Sequence, residues 1–334
     1  MQDTKPRQLG LVDHEFQGLV FAWQFSSEGS AEKLKTTPAI LPAAGEPWLW
    51  AHLDLVDRRA LRWINGLGLP AQATQLFASD DIRPRLDHLP GLIFGSFAEM
   101  HDEPSRRTGR ERVLRFVIGA GWIITGRYHP LADVDLLREN LVRGMALHHP
   151  AEVLDRLINM SVERIQDDVD EMLMTINRIE DVVIEQGGTD ASSEIAVLRR
   201  RAATIHRDIS VNKSVIRHFA EQNAANHHPA PIAKSSEANF HHAEALHAEV
   251  HALQERARLL KDEIAANLAS DMNHSLYIIS IISALLLPPS VVFGLFGINV
   301  GGLPLLNSGW GFAIVVLLGI STSAFVSMLL RRPK

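Results

Sequence analysis

The stretch Leu276–Phe296, LYIISIISALLLPPSVVFGLF, decides how this chain is built. It contains no acid or base, and as a helix it is about 30 Å long, enough to cross the hydrocarbon core of a bilayer. Gly311–Leu330, GFAIVVLLGISTSAFVSMLL, is a second stretch of the same kind. Asp, Glu, Lys and Arg make up 22% of the chain, yet none occurs between Asp271 and Arg331, so charge is confined to the body before the first stretch and to a short tail. Arg256, Arg258 and Lys261 precede the first stretch, Arg331, Arg332 and Lys334 follow the second, and the connection 297–310 is uncharged. Because Lys and Arg remain on the cytoplasmic side, two crossings with both termini in the cytoplasm are expected, with Tyr277 and Trp310 at the interfaces.

Upstream, residues 18–128 alternate between short apolar runs and turn residues. Leu19–Phe25, Trp48–Leu53, Leu92–Met100, Val113–Ile118 and Trp122–Arg127 read as strands, rich in β-branched and aromatic residues. Arg58–Leu67 and Pro70–Phe77 read as short helices, and Asp102–Arg110 as a polar hairpin loop. After Pro150 the texture is helical. Leu154, Ile158, Ile165, Val169, Met172, Ile176, Ile179 and Val183 fall on one face, interrupted at Ser161, up to Gly187-Gly188. A second helix from about Ser192 carries the seam Ile195, Leu198, Ala202, Ile205, Ile209, Asn212, Ile216 and Phe219, with Asn212 expected to fix helix register. Asn226–Lys234, with Pro229 and Pro231, breaks it. A third helix begins near Ser236, with Leu246, Val250, Leu253, Ala257, Leu260 and Ile264 on its seam. Nothing stops it before Pro288, so from Ala238 to Phe296 it would reach roughly 90 Å.

The pattern divides the chain into an α+β cytoplasmic domain 1–150, a cytoplasmic helical stalk 151–275 continuing into the membrane, a first span 276–296, an outer loop 297–310, a second span 311–330 and a cytoplasmic tail 331–334. Met1–Gly10 is polar, so no secretory signal is read there. The absence of cysteine excludes disulfides, thiolate metal sites and Cys nucleophiles. A net charge of −6 without a basic block argues against nucleic acid as a partner. No phosphate loop, nucleophile elbow or metalloprotease helix is present, so the chain does not read as an enzyme, and no cofactor is expected.

The first span carries a stripe of small and polar residues. Asn273, Ser280, Ser283, Leu287, Ser290 and Gly294 recur at three- and four-residue steps, opposite Ile278, Ile281 and Ile282. Small residues also serve close helix packing, so the stripe has two readings, a packing surface or the lining of a path. Two helices enclose no pore, so a lining requires several copies around an axis. Leu276, Ile279 and Leu287 are apolar levels able to close such a path by excluding water. Pro288-Pro289 removes two amide donors, leaving the Ala284 and Leu285 carbonyls without their usual partners. The stripe runs into Gly297-Ile298-Asn299, where a ring of Asn299 amides would offer oxygens to a cation.

At this turn the chain resembles the CorA-type divalent cation transporters, whose signature is Gly-Met-Asn at the outer end of the first of two carboxy-terminal spans. The stretch Gly294-Leu295-Phe296-Gly297-Ile298-Asn299-Val300-Gly301-Gly302-Leu303-Pro304 is similar to the ZntB zinc-transporting branch in particular, as are Val20-Phe21-Ala22-Trp23, Trp48-Leu49-Trp50-Ala51-His52-Leu53 and Arg83-Pro84-Arg85. The resemblance implies a funnel-shaped homopentamer in a bacterial-type inner membrane, with the first span lining the pore and the second forming an outer ring, in contact with lipid. It implies transport of a divalent cation, Zn²⁺ first, as proton-coupled uptake. The alternatives are a Mg²⁺/Co²⁺/Ni²⁺ channel of the same architecture and a membrane-tethered adaptor without transport. Gly297 and Asn299 match the signature and Ile298 departs from its Met. The connection also lacks the acidic residues of the magnesium channels, which weakens electrostatic capture of hydrated Mg²⁺.

Three further groups are candidates for metal contact. Asp262, Glu263, Asn267, Asp271 and Asn273 stand before the first span and are the inner-mouth candidates. Glu244, His247, His251 and Glu255 share one helix face at steps of three, four and four, and imidazole is a good zinc ligand. Spacing alone shows no complete ligand set, and a solvated helix surface is the plainer reading. Asp167, Asp168, Asp170 and Glu171 form an acidic group that is either cation-attracting or simply the wet side of a helix.

Overall fold

A computed structural model describes residues 18–35, 40–44, 47–100, 112–186, 191–225, 229–297, 304 and 309–330. Its elements are β1 (Leu19–Phe25), β2 (Ala31–Leu34), β3 (Trp48–Asp54), α1 (Arg58–Gly66), α2 (Ala71–Ala78), β4 (Arg85–Leu89), β5 (Leu92–Ala98), β6 (Val113–Gly119), β7 (Trp122–Arg127), α3 (Ala132–Val142), α4 (Pro150–Gln186), α5 (Ser192–Ala225), α6 (Ala230–Gly297) and α7 (Gly311–Leu330). The chain divides into two compact units, residues 1–181 with 193–259 and residues 182–192 with 260–334.

In the first unit the strands form one sheet, ordered β2-β1-β3-β7-β6-β5-β4. Every described pairing is antiparallel except β3 with β7, which run parallel with Leu49 opposite Trp122. Side chains alternate across the sheet. Ala22, Leu49, Ala51, Leu53, Phe94, Val117 and Ile124 pack against Ala60 and Ile64 of α1 and Ala73, Leu76 and Phe77 of α2. Asp57 caps α1 by accepting from the Arg59 amide at 2.9 Å. Arg115, buried in β6, donates to the carbonyls of Leu76 and Ser79 at the end of α2 and lies over the Tyr128 ring.

The five expected strands and two expected helices are present within a residue or two. Three elements are additional: β2 and β4, the polar outermost strands of the sheet, and α3, with Val134, Leu137 and Leu141 buried. Asp102–Arg110 joins two antiparallel neighbours, as a hairpin loop must, but lies outside the described residues, as does Gly187-Gly188.

The seams expected on α4, α5 and α6 are buried throughout. Ser161 does not interrupt α4; it is buried and donates to Asp133 Oδ2 of α3 at 2.6 Å. The break between α5 and α6 is shorter than expected, since α6 starts at Ala230 with the Ile232 amide bonded to the Pro229 carbonyl. Pro231 sits in the first turn, where its missing N–H has no helical partner to lose. Asp155 of α4 accepts from Ser235 at 2.6 Å and Asn239 at 3.0 Å and so holds this start in place. Asn212 does not set helix register: its side chain accepts from the Ala98 amide at 3.0 Å and donates to the Ala98 carbonyl at 2.8 Å, tying α5 to the end of β5.

In the second unit, α7 and the later part of α6 are long and apolar enough to cross a membrane. Buried core helices pass the same test, but only 0% and 6% of the two apolar windows is buried within the chain. The helix continues through Pro288 and Pro289.

Candidate functional site

The orientation of α6 in its apolar part is set by its contacts with α7. Pro289 has no N–H to give the Leu285 carbonyl, and Ser323 Oγ of α7 donates to that carbonyl at 3.0 Å. Two turns later Phe293 meets Gly319, which is buried and whose missing Cβ leaves room for the ring. Ile281, Ala284, Leu285, Pro288, Pro289, Val292 and Phe296 are half-buried, the three-and-four spacing of one covered face.

At about 100° per residue, Leu276, Ile279, Ser280, Ser283, Leu287, Ser290 and Gly294 all fall within about 60° of the side opposite Leu285. All seven are exposed. The stripe is therefore not the surface that packs against α7. Ser280 donates to the Leu276 carbonyl and Ser290 to the Leu286 carbonyl, each at 2.7 Å. With its proton turned back onto the helix, each hydroxyl keeps oxygen lone pairs for an outside donor or cation. Gly297 ends α6 with open space around it. Ile298 and Asn299 lie outside the described residues.

The inner-mouth candidates do not share one side. By the same count Asp262 and Asn273 lie on the stripe's side of α6, whereas Glu263, Asn267 and Asp271 lie within about 40° of Leu285. Five positions over three turns cannot all face one way, and those three drop away from the stripe.

The four candidate ligands on α6, upstream of its apolar part, are not assembled into a site. Glu244 is paired with Lys213 at 3.1 Å and Glu255 with Arg258 at 3.1 Å, because the same face packs beside the cations of α5 and of the next turn. His247 and His251 instead meet His206 of α5, with ring centroids 4.6 and 6.1 Å apart. Burial first, then the neighbouring His206, Lys213 and His251, hold His247 below the usual imidazole range, and its Nε2 lies 3.1 Å from Ser210 Oγ. Among the described residues no three His, Asp or Glu side chains are arranged to hold a metal ion. Three members of the acidic group on α4 are likewise occupied: Arg201 binds Asp168 at 2.6 Å and Glu171 at 2.8 Å, and Gln166 donates to Asp170, while Asp167 is exposed.

Sequence reasoning missed His206 and Ser323. His206 carries no periodic signal of its own. Ser323 left one, since Pro289 orphans a carbonyl and Ser321-Thr322-Ser323 are the hydroxyls available on the other span.

Residues 45–332 match the family described as CorA-like Mg²⁺ transporter protein. A zinc transport protein, ZntB, of Photorhabdus laumondii subsp. laumondii is 23% identical over 322 residues, covering 94% of this chain and 95% of that protein. The divalent cation transporter CmaX of Pseudomonas aeruginosa is 26% identical over 320 residues, covering 92% and 94%. The solved structure of full-length CmaX superposes with a TM-score of 0.78 at 23% identity, covering 96% of this chain and 99% of that one, a likeness of fold from the sheet through both apolar helices.

Proposed function

The chain belongs to the family of CorA-like Mg²⁺ transporter proteins, and from that premise we propose that several copies, five by the resemblance, enclose a hydrated path that admits Zn²⁺ to the cell. One observation carries the reading. The serine edge of α6 points away from its only described partner in the apolar region, α7, and its hydroxyls keep their lone pairs outward. In a lone protomer this edge would face lipid; around a shared axis it faces water and offers oxygens to a hydrated cation.

In this arrangement both termini lie in the cytoplasm of a bacterial cell and α7 forms the lipid-facing ring. Asn299, framed by Gly297 and Ile298, provides the outer ring of amide oxygens. Ser290, Ser283 and Ser280 form the polar levels, Leu287, Ile279 and Leu276 the apolar levels that close by dewetting, and Asn273 and Asp262 the inner mouth. The name of the Photorhabdus relative supports Zn²⁺ as the cargo. The family description favours Mg²⁺, with Co²⁺ and Ni²⁺ beside it. Against Mg²⁺ stands the uncharged connection 297–310, which has no carboxylate to draw a strongly hydrated ion.

Purified protein in liposomes loaded with a zinc-sensitive dye tests the reading. Zn²⁺ entry is expected, faster with the outside acidic, and Asn299→Ala lowers it more than about tenfold while the oligomer remains intact. Mg²⁺ entry without Zn²⁺ entry selects the rival cargo, and a membrane-inserted oligomer passing neither ion leaves the chain as an anchored adaptor.

A further inference from the structure

We propose that Ser323 is a positioning residue for conduction: its hydroxyl takes the carbonyl that Pro289 orphans and thereby fixes the direction in which the outer half of α6 faces. The inference rests on the reading that α6 lines the path, and adds to it a part for the second span beyond that of a lipid-facing ring.

A proline inside a helix leaves the carbonyl four residues earlier without a donor, and in hydrocarbon such a group must find a partner. The Leu285 carbonyl has two possible sources: water in a lumen, or a side chain from a neighbouring helix. The sources differ in direction. Water would draw the carbonyl, and the helix with it, toward the axis; a hydroxyl on α7 holds it away. In the structure Ser323 Oγ lies 3.0 Å from it, half-buried between the helices. Four residues before Ser323, Gly319 admits the Phe293 ring, which a side chain at 319 would displace. Thr322 spends its own hydroxyl on the Gly319 carbonyl at 2.8 Å, so Ser323 is the hydroxyl directed at α6.

α7 therefore grips α6 on both sides of the proline pair, at Leu285 before it and at Phe293 after it. The proline pair removes two backbone hydrogen bonds and so loosens the hold of one half of α6 on the other. With two fixed points flanking the break, Ser283 before it and Ser290 and Gly294 after it keep one azimuth, opposite Leu285. Without the hydroxyl, the outer half turns as the carbonyl seeks water, and Ser290 leaves the line.

The test uses the full-length protein in liposomes and exploits the absence of native cysteine. Zn²⁺ uptake is measured for the unmodified chain, Ser323→Ala, Ser323→Thr, Pro289→Ala and the double variant. Reaction of Ser283→Cys and Ser290→Cys with a water-soluble thiol reagent is measured with and without Ser323→Ala. Ser323→Ala is expected to cut uptake about tenfold with the oligomer intact, and Ser323→Thr to retain uptake within about threefold, because the hydroxyl is kept. Pro289→Ala restores the backbone donor, so Ser323→Ala in that background costs less than about twofold. Labelling at 290, not at 283, slows about fivefold or more in Ser323→Ala. Equal losses from Ser323→Ala in the unmodified and the Pro289→Ala backgrounds, or unchanged uptake and labelling in Ser323→Ala, overturn the proposal. If even the unmodified chain passes no Zn²⁺, the transport reading has failed while the labelling comparison still decides the clamp.

Discussion

His52 is the clearest case of a residue whose chemistry follows from where the sheet places it. It is buried in β3, stacked on Phe21 and sharing a hydrogen bond with Thr125 Oγ1 at 2.8 Å, which also accepts from the Trp50 indole. Burial first, then the charges of Arg127 and Arg138, lower its pKa to about 3. In the unfolded chain it titrates near about 6.5, so below that pH the unfolded state takes up a proton that the folded state refuses. The stability involved is fully present above about pH 6.5 and is lost as pH falls toward about 3. Between pH 7 and pH 5 the loss is about 2 kcal/mol, so the Tm of the solubilised protein should fall across that window. His52→Gln should flatten the fall; an equally steep dependence in that variant would contradict the assignment. Asn212 makes a second case. Asn212→Ala strands the Ala98 amide and carbonyl and is expected to cost about 3 kcal/mol in a denaturant titration, against near zero if it only sets helix register. The position of Asn212 on a buried seam was legible in the sequence. Its partner was not, because that partner is the backbone of a strand 114 residues earlier.

At the scale of elements, what was legible was whatever is apolar in a regular way. The seams of α4, α5 and α6 announce themselves because a buried helix face must recur every 3.6 residues, and the inner strands because they are continuous apolar runs, as β3 and β6, buried along both faces, show. β2 (AEKL) and β4 (RLDHL) do not, because the outermost strands of a sheet are kept short and charged to discourage further pairing. α3 shows its buried face only in the spacing of Val134, Leu137 and Leu141, too short a run to stand out. The stripe on α6 was visible from spacing alone; its direction relative to α7 required the Ser323 and Phe293 contacts. Its prediction belongs to the helix as a whole. Single cysteines at Ser283 and Ser290 should react with a membrane-impermeant thiol reagent in the assembled protein, and cysteine at Ile281, on the covered face, at least about tenfold more slowly. The reverse order would place the α7 side of α6 toward water.

For the whole molecule, charge and connectivity matter more than any one contact. The connection 297–310 has no acidic residue, so on the proposed path a cation captured there would draw on amide and hydroxyl oxygens rather than on a long-range field. Zn²⁺ uptake at subsaturating metal should then change less than about twofold between about 10 and about 150 mM salt, although the screening length shortens from about 30 to about 8 Å. A fall of an order of magnitude would reveal an acidic focus elsewhere at the mouth. The histidines on α6 upstream of its apolar part show the limit of helix-face reasoning: spacing put Glu244, His247, His251 and Glu255 together, but neighbouring cations take the two carboxylates. The Asn212 bridge also bears on how the protein is made. Synthesis at about 5–20 residues per second leaves roughly 6–23 s between the appearance of Ala98 and that of Asn212. During that interval the nascent chain exposes an unfinished strand end on the ribosome, and a chaperone able to shield it has its window before the first membrane segment is translated.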